Sequence, residues 1–65
     1  MTIKAARVNK GFTQSEAAKR IGVSVYSLSC YERGVTQPTI KTAAKMAQVY
    51  EVPIGELIFS TENNV

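Results

Sequence analysis

The sequence predicts an all-α protein, a compact bundle of five short helices. Three observations lead there. Apolar residues recur every three or four positions, and no stretch alternates apolar and polar as a half-buried strand would. Glycines and one proline-containing loop cut the chain into segments of helical length. Most segments open on a serine or threonine suited to capping a helix.

The first helix is expected over residues 3–10, closed by Gly11. The run Thr13-Gln14-Ser15-Glu16 is a capping box. The Thr13 hydroxyl accepts from the Glu16 amide, and the Glu16 carboxylate accepts from the Thr13 amide. Phe12 precedes this box, where it can staple against Ala17. Helix two then runs to about Ile21 and stops at Gly22. Ser24 caps a third helix from Val25 to about Arg33, ended by Gly34. After the loop 35–38, Thr39 caps helix four, Ile40 to about Tyr50. Pro53 opens a fifth helix from Ile54 to about Phe59, where its missing amide costs little. Residues 1–59 therefore form one domain, and 60–65 read as a frayed, flexible C-terminal tail. The inward set expected from the helical period is Ile3, Ala6, Phe12, Ala17, Ala18, Ile21, Val23, Leu28, Tyr31, Ile40, Ala43, Met46, Ala47, Tyr50, Val52, Ile54 and Leu57. Many of these are alanines, which let helices approach closely.

With 65 residues the chain forms one small domain with a modest core. It has one cysteine, Cys30, and no histidine, so neither a disulfide nor a Cys/His zinc site is expected. No cofactor is expected. An enzyme is excluded by the lack of His and Asp and of any clustered Cys or Glu. No apolar run approaches the roughly 20 residues of a membrane span, and a lone thiol fits a cytoplasmic setting. Net charge is +3 and unevenly placed. Residues 1–33 hold six basic side chains against two acidic ones, and residues 34–65 hold two against three. A basic half suits a polyanion, although solubilising charge explains it equally well.

The stretch "QSEAAKRIGVSVYSLSCYERG" is the informative one. Ala18 lies four residues before Gly22, on the inner side of the hinge, where a larger side chain would hold the helices apart. Gly22 permits a sharp turn. Ile21, Val23, Leu28 and Tyr31 lock the second helix across the first, which is a helix-turn-helix. An α-helix presented this way fits the major groove of DNA. Two capped helices joined by a glycine also occur in ordinary helical bundles.

The wider pattern, "IKAARVNKGFTQSEAAKRIGVS", then "LSCYERG", then "QPTIKTAAKMAQVYEVPIGEL", resembles the phage repressor and Cro (XRE) family of helix-turn-helix regulators. Its telling pieces are Arg7 with Gly11, Phe12-Thr13-Gln14, Ala18 with Gly22, Glu32-Arg33-Gly34 and Pro38-Thr39, spread over residues 3–58. The resemblance implies a lambda-repressor-like five-helix domain, binding to double-stranded operator DNA, and a homodimer on a palindromic site.

It also implies residue roles. Gln14 would sit beside a phosphate at a helix N-terminus and brace the start of the recognition helix. Val25, Tyr26, Ser29 and Cys30, expected on the exposed side of helix three, match the base-facing positions. They lack the Gln, Arg or Asn that pair bidentately with purines, which shifts weight onto DNA shape and backbone contacts. Ser24, Ser27, Arg33, Thr36 and Gln37 would contact phosphates, with Lys10, Lys19 and Lys41 at the outer rim. Arg7 and Glu32 would form a partly buried structural ion pair. Ile58 and Phe59, next to Leu57 in a short helix that cannot bury all three, are the candidate dimer patch. The expected function is a DNA-binding transcriptional regulator, a phage- or mobile-element-type repressor or Cro-like switch. Two other readings share the fold. One is a protein-interaction module that binds a toxin or antirepressor. The other is the N-terminal domain of a longer repressor.

Overall fold

The computed structural model describes residues 1–59. It holds four α-helices: α1 (Ile3–Asn9), α2 (Gln14–Ile21), α3 (Val25–Arg33) and α4 (Ile40–Tyr50). A single 3-10 turn, Ile54–Glu56, follows them. The flexible tail expected over 60–65 lies outside the described residues.

Each helix starts on a hydroxyl cap. Thr2, Thr13, Ser24 and Thr39 each accept from the backbone amide three residues on, at 3.0, 3.1, 2.9 and 3.1 Å. At Thr13 the box closes, since its own amide donates to Glu16 Oε1 at 2.9 Å. Such a cap contributes about 1 kcal/mol, and these helices of 7 to 11 residues are too short to stand alone. Each helix also ends alike. The amides of Phe12, Val23, Val35 and Val52 donate back five residues, to the carbonyls of Arg7, Ala18, Cys30 and Ala47. The residue before each of these has a positive φ. At the helix-turn-helix corner that residue is Gly22, with φ 94°. A Cβ there would meet nothing within 4 Å, so the backbone angle and not space demands glycine. At the end of α4 the position falls to Glu51, with φ 58°.

The core is built of Ile3, Ala6, Ala17, Ala18, Ile21, Leu28, Met46, Ala47, Tyr50 and Leu57, with Phe12, Val23, Tyr31, Val49, Val52 and Phe59 packed around it. Ala43 is buried as well, but two expected core residues are not. Ile40 is 86% exposed and Ile54 46% exposed. Ile40 occupies the first turn of α4, and helical side chains lean toward the N-terminus, so it overhangs the helix end instead of reaching the core. The fifth helix is corrected to the 3-10 turn. Beyond it the chain is extended: Ile58 pairs with Thr2 in a parallel bridge, and its amide donates to the Met1 carbonyl at 2.8 Å. The N-terminal segment thus satisfies backbone groups that a longer helix would have satisfied internally.

One polar cluster ties the helices together. Arg7 Nε and Nη2 donate to Glu32 Oε2 and Oε1 at 2.6 and 3.2 Å. Arg7 Nη1 donates to the Phe12 carbonyl at 2.9 Å, and Gln14 Nε2 donates to Glu32 Oε1 at 3.0 Å. The charged side chains of Arg7 and Glu32 are only 10% and 3% exposed. Beneath them lies Tyr50, 1% exposed. Burial first, and the Glu32 carboxylate second, push the Tyr50 hydroxyl up to about 12, with Arg7 opposing.

Two outcomes follow for stability. Arg7→Ala leaves Glu32 buried without its cation and should cost about 3–5 kcal/mol. At about 4–8 °C per kcal/mol, the melting temperature falls by roughly 10 °C or more. Arg7→Met combined with Glu32→Leu should recover most of that loss, because removing both charges removes the desolvation cost as well. A double variant that melts no higher than Arg7→Ala would refute this account of the cluster. The second outcome concerns alkali. The folded state holds the Tyr50 proton above the ordinary tyrosine value of 10.0. Stability from this group is therefore complete below about pH 10 and is lost as pH rises toward 12, by about 2–3 kcal/mol. Tyr50→Phe should fold at pH 7 and lack this component. Urea midpoints of both proteins between pH 9 and 12 measure the difference, and parallel curves would exclude it.

Candidate nucleic-acid interface

The side of α3 turned away from the core carries exposed side chains and is the candidate interface. Leu28, wholly buried, fastens α3 from behind. Gly22 fixes its entry and Glu32 fixes its exit. What remains outward is Val25, 44% exposed, and Tyr26, 75% exposed, both in the first turn. An exposed valine and tyrosine side by side at a free helix start make an apolar contact surface with one hydroxyl that both donates and accepts.

Ser24 and Ser27 stand at the same end. Ser24 Oγ accepts from the Ser27 amide and donates to Ser27 Oγ at 3.0 Å. This leaves the Ser27 hydroxyl proton unused within the pair, beside amides at the positive end of a helix dipole. Ser29 is half-buried and accepts from Arg33 Nε at 3.2 Å. Arg33 is exposed, but its guanidinium is drawn back along α3, with Nη2 3.6 Å from Cys30 Sγ. Thr36 and Gln37 are exposed in the loop before α4.

Two expected placements change. Cys30 is 4% exposed, so it does not share the outer face with Val25 and Tyr26. The loop after α3 turns back onto the helix, with the Val35 amide donating to the Cys30 carbonyl at 2.9 Å, and Arg33 lies over the sulfur. Gln14, half-buried at the start of α2, reaches the end of α3 through Glu32 and not its start. The Arg33–Ser29 bond is not among the sequence expectations, although the i, i+4 spacing carries its signal. Nor are the exposed Val35 and Ile40, 60% and 86% exposed. Only their positions, just after a helix end and just after a cap, hint at it.

Lys19, Arg20, Arg33, Lys41 and Lys45 are exposed, Lys10 is paired with Glu51 at 3.1 Å, Glu32 is bonded within its cluster and Glu16 is held in its capping box. Among the described residues no group of three His, Cys, Asp or Glu side chains gathers to hold a metal ion. No described helix is long and apolar enough to cross a membrane.

Comparison with known proteins agrees with this geometry. The family described as Helix-turn-helix (HTH_3) matches residues 3–57. The chain is 38% identical, over 97% of its length and 57% of the relative's, to the cryptic phage CTXphi transcriptional repressor RstR of Vibrio cholerae. It is 35% identical, over 92% of its length and 47% of the relative's, to the HTH-type transcriptional regulator ImmR of Bacillus subtilis (strain 168). It is 33% identical, over 97% of its length and 89% of the relative's, to an uncharacterized HTH-type transcriptional regulator of Archaeoglobus fulgidus. The chain spans about half the length of RstR and ImmR. No solved structure matches it. With the hinge, the capped pair of helices and the matched span in agreement, the chain belongs to the helix-turn-helix family HTH_3.

Proposed function

We propose that this chain is a sequence-specific DNA-binding transcriptional regulator of the phage or mobile-element repressor type, acting in the cytoplasm as a homodimer on a palindromic operator. The observation that carries the reading is the presentation of α3. Its rear is pinned by Leu28 and the Arg7–Glu32–Gln14 cluster, while Val25 and Tyr26 stand free in its first turn. A helix held rigidly with its N-terminal face open can be laid in a major groove. The names of RstR and ImmR, a transcriptional repressor and a transcriptional regulator, support it.

Val25 meets a thymine methyl, and Tyr26 bonds a base edge or phosphate. Gln14, Ser24, Ser27, Arg33, Thr36 and Gln37 hold the backbone. Arg33 must leave Ser29 to do so, an exposed bond that costs little to exchange. With no bidentate donor on the outer face, base discrimination is modest and the phosphates supply most of the affinity. For the dimer the extended C-terminal segment divides its residues. Phe59 packs against the core, so the patch is Ile58, 55% exposed, with Ile54 at the start of the 3-10 turn.

Binding-site selection followed by gel shift tests the reading. Failure to enrich any duplex would sink it. On the selected operator, Arg33→Ala should weaken all sequences alike and flatten the log–log salt dependence by roughly 0.9 for each phosphate that the variant leaves unneutralised. Val25→Ala should cost about 1 kcal/mol, near fivefold, only where a particular thymine stands. Replacing that thymine by uracil should then leave the variant unaffected. Additive losses at every position would remove Val25 from the methyl. Ile58→Asp should abolish cooperative filling of two half-sites about 34 Å apart while the monomer melts as before. Unchanged cooperativity would place the dimer contact elsewhere.

A further inference from the structure

We propose a second binding site, distinct from the outer face of α3: a groove between the helix-turn-helix corner and α4 that takes an acidic amphipathic segment of a partner protein. The groove is open, about 490 Å³, with Ile21, Gly22 and Val23 on one side and Lys41, Ala44 and Lys45 among the residues on the other. Apart from the lysines, its floor mixes the apolar Ile21, Val23 and Ala44 with the polar Thr42 and Gln48. Gly22 has no side chain, a Cβ built on it would touch nothing within 4 Å, and Ala44 opposite is exposed. Its rim is cationic. Lys41 and Lys45 are one helical turn apart on α4, both exposed, and neither forms an ion pair among the described residues. No carboxylate lines the groove.

These features select the occupant. The apolar part of the floor accepts an aliphatic side chain, and two unpaired ammonium groups a turn apart accept two carboxylates at the same spacing. A helix with acidic residues at i and i+4 and a leucine or isoleucine between them presents that combination. This is the helix-in-groove mode of recognition, with charge setting orientation and the apolar anchor supplying affinity. A DNA backbone would satisfy the lysines but leave Ile21, Val23 and Ala44 uncovered, so the apolar part of the floor favours protein. The groove ends at Val23, next to the Ser24 cap of α3. An occupant therefore sits against the entry of the helix proposed to lie on DNA and competes with operator binding, a consequence that rests on the DNA-binding function.

The peptide measurements use the whole 65-residue chain with no DNA present, so they stand apart from the operator assays. A displayed library of 12-residue peptides is selected on the protein, and the enriched peptide is synthesised and titrated by NMR. The expected result is a consensus with carboxylates four apart around an aliphatic residue, amide shifts at Gly22 and Gln48, and an affinity reduced by about tenfold or more in Lys41→Glu/Lys45→Glu. Ala44→Met, which fills the floor and keeps the charges, should weaken the same peptide and guards against misfolding of the double variant. No enriched peptide, a consensus without acids, or shifts confined to α3 would overturn the proposal. So would a double variant that binds the peptide normally but loses affinity for a mixed-sequence duplex, which would make the lysines phosphate contacts.

Discussion

The carboxylate of Glu32 is the point on which the helix-turn-helix geometry depends. It takes two bonds from Arg7 and one from Gln14. These partners belong to α1, to the start of α2 and to the end of α3, so three helices meet at one side chain. The remaining nitrogen of Arg7 donates to the Phe12 carbonyl, which fixes the link between α1 and α2. A buried ion pair is a poor source of net stability, since desolvation offsets much of the attraction. Its value here lies in direction. Apolar contacts among alanines tolerate sliding, whereas a guanidinium and a carboxylate joined by two bonds accept one relative orientation. The hinge at Gly22 sets one end of α3 and Glu32 sets the other, so the first turn of α3 is aimed by covalent geometry and by charge together.

Local closure also governs the helix ends. A core in which alanine is the commonest residue cannot contribute much apolar burial, and the helices are short. Each end is therefore closed individually, by a hydroxyl at the start and a five-residue backward bond at the finish. Glu51 is the exception among the four positive-φ positions. It adopts a left-handed conformation that costs a side-chain-bearing residue about 1 kcal/mol relative to glycine. Its carboxylate reaches Lys10 at 3.1 Å, joining the ends of α1 and α4, but the pair is too exposed to offset much of that strain.

The bounds of α2, α3 and α4 are legible in the sequence because caps and glycines are local signals, and these act within four residues of where they stand. The fifth helix fails for the opposite reason. Whether residues 57–59 coil or extend depends on Thr2 and Met1, more than fifty positions away, and no local pattern carries that information. Ile40 shows the limit of periodicity. It is in phase with Ala43 and Ala47, yet phase says nothing about whether the core extends past the first turn. Cys30 shows another. It lies on the side of α3 away from Leu28 and is still only 4% exposed, with the Arg33 guanidinium 3.6 Å from its sulfur, and the helical period does not register such a contact. The family resemblance brings Arg7 and Glu32 together across 25 residues; the third member, Gln14, falls at the right helix start but is expected at the wrong end of α3.

A division of labour results. Orientation of α3 is over-determined, by a glycine hinge, a buried leucine, a capped start and a three-donor carboxylate. Its outward chemistry is sparse: one valine, one tyrosine, and a serine and arginine that hold each other. Rigidity substitutes for hydrogen-bonding capacity in such an arrangement. A methyl contact loses about a quarter to a half of its dispersion energy when a gap of about 0.5–1 Å opens. Under the proposed function, a flexible helix carrying Val25 would read nothing, whereas a fixed one would tell thymine from cytosine at one position. On that reading the dense polar cluster behind α3 is what would make so plain a face usable.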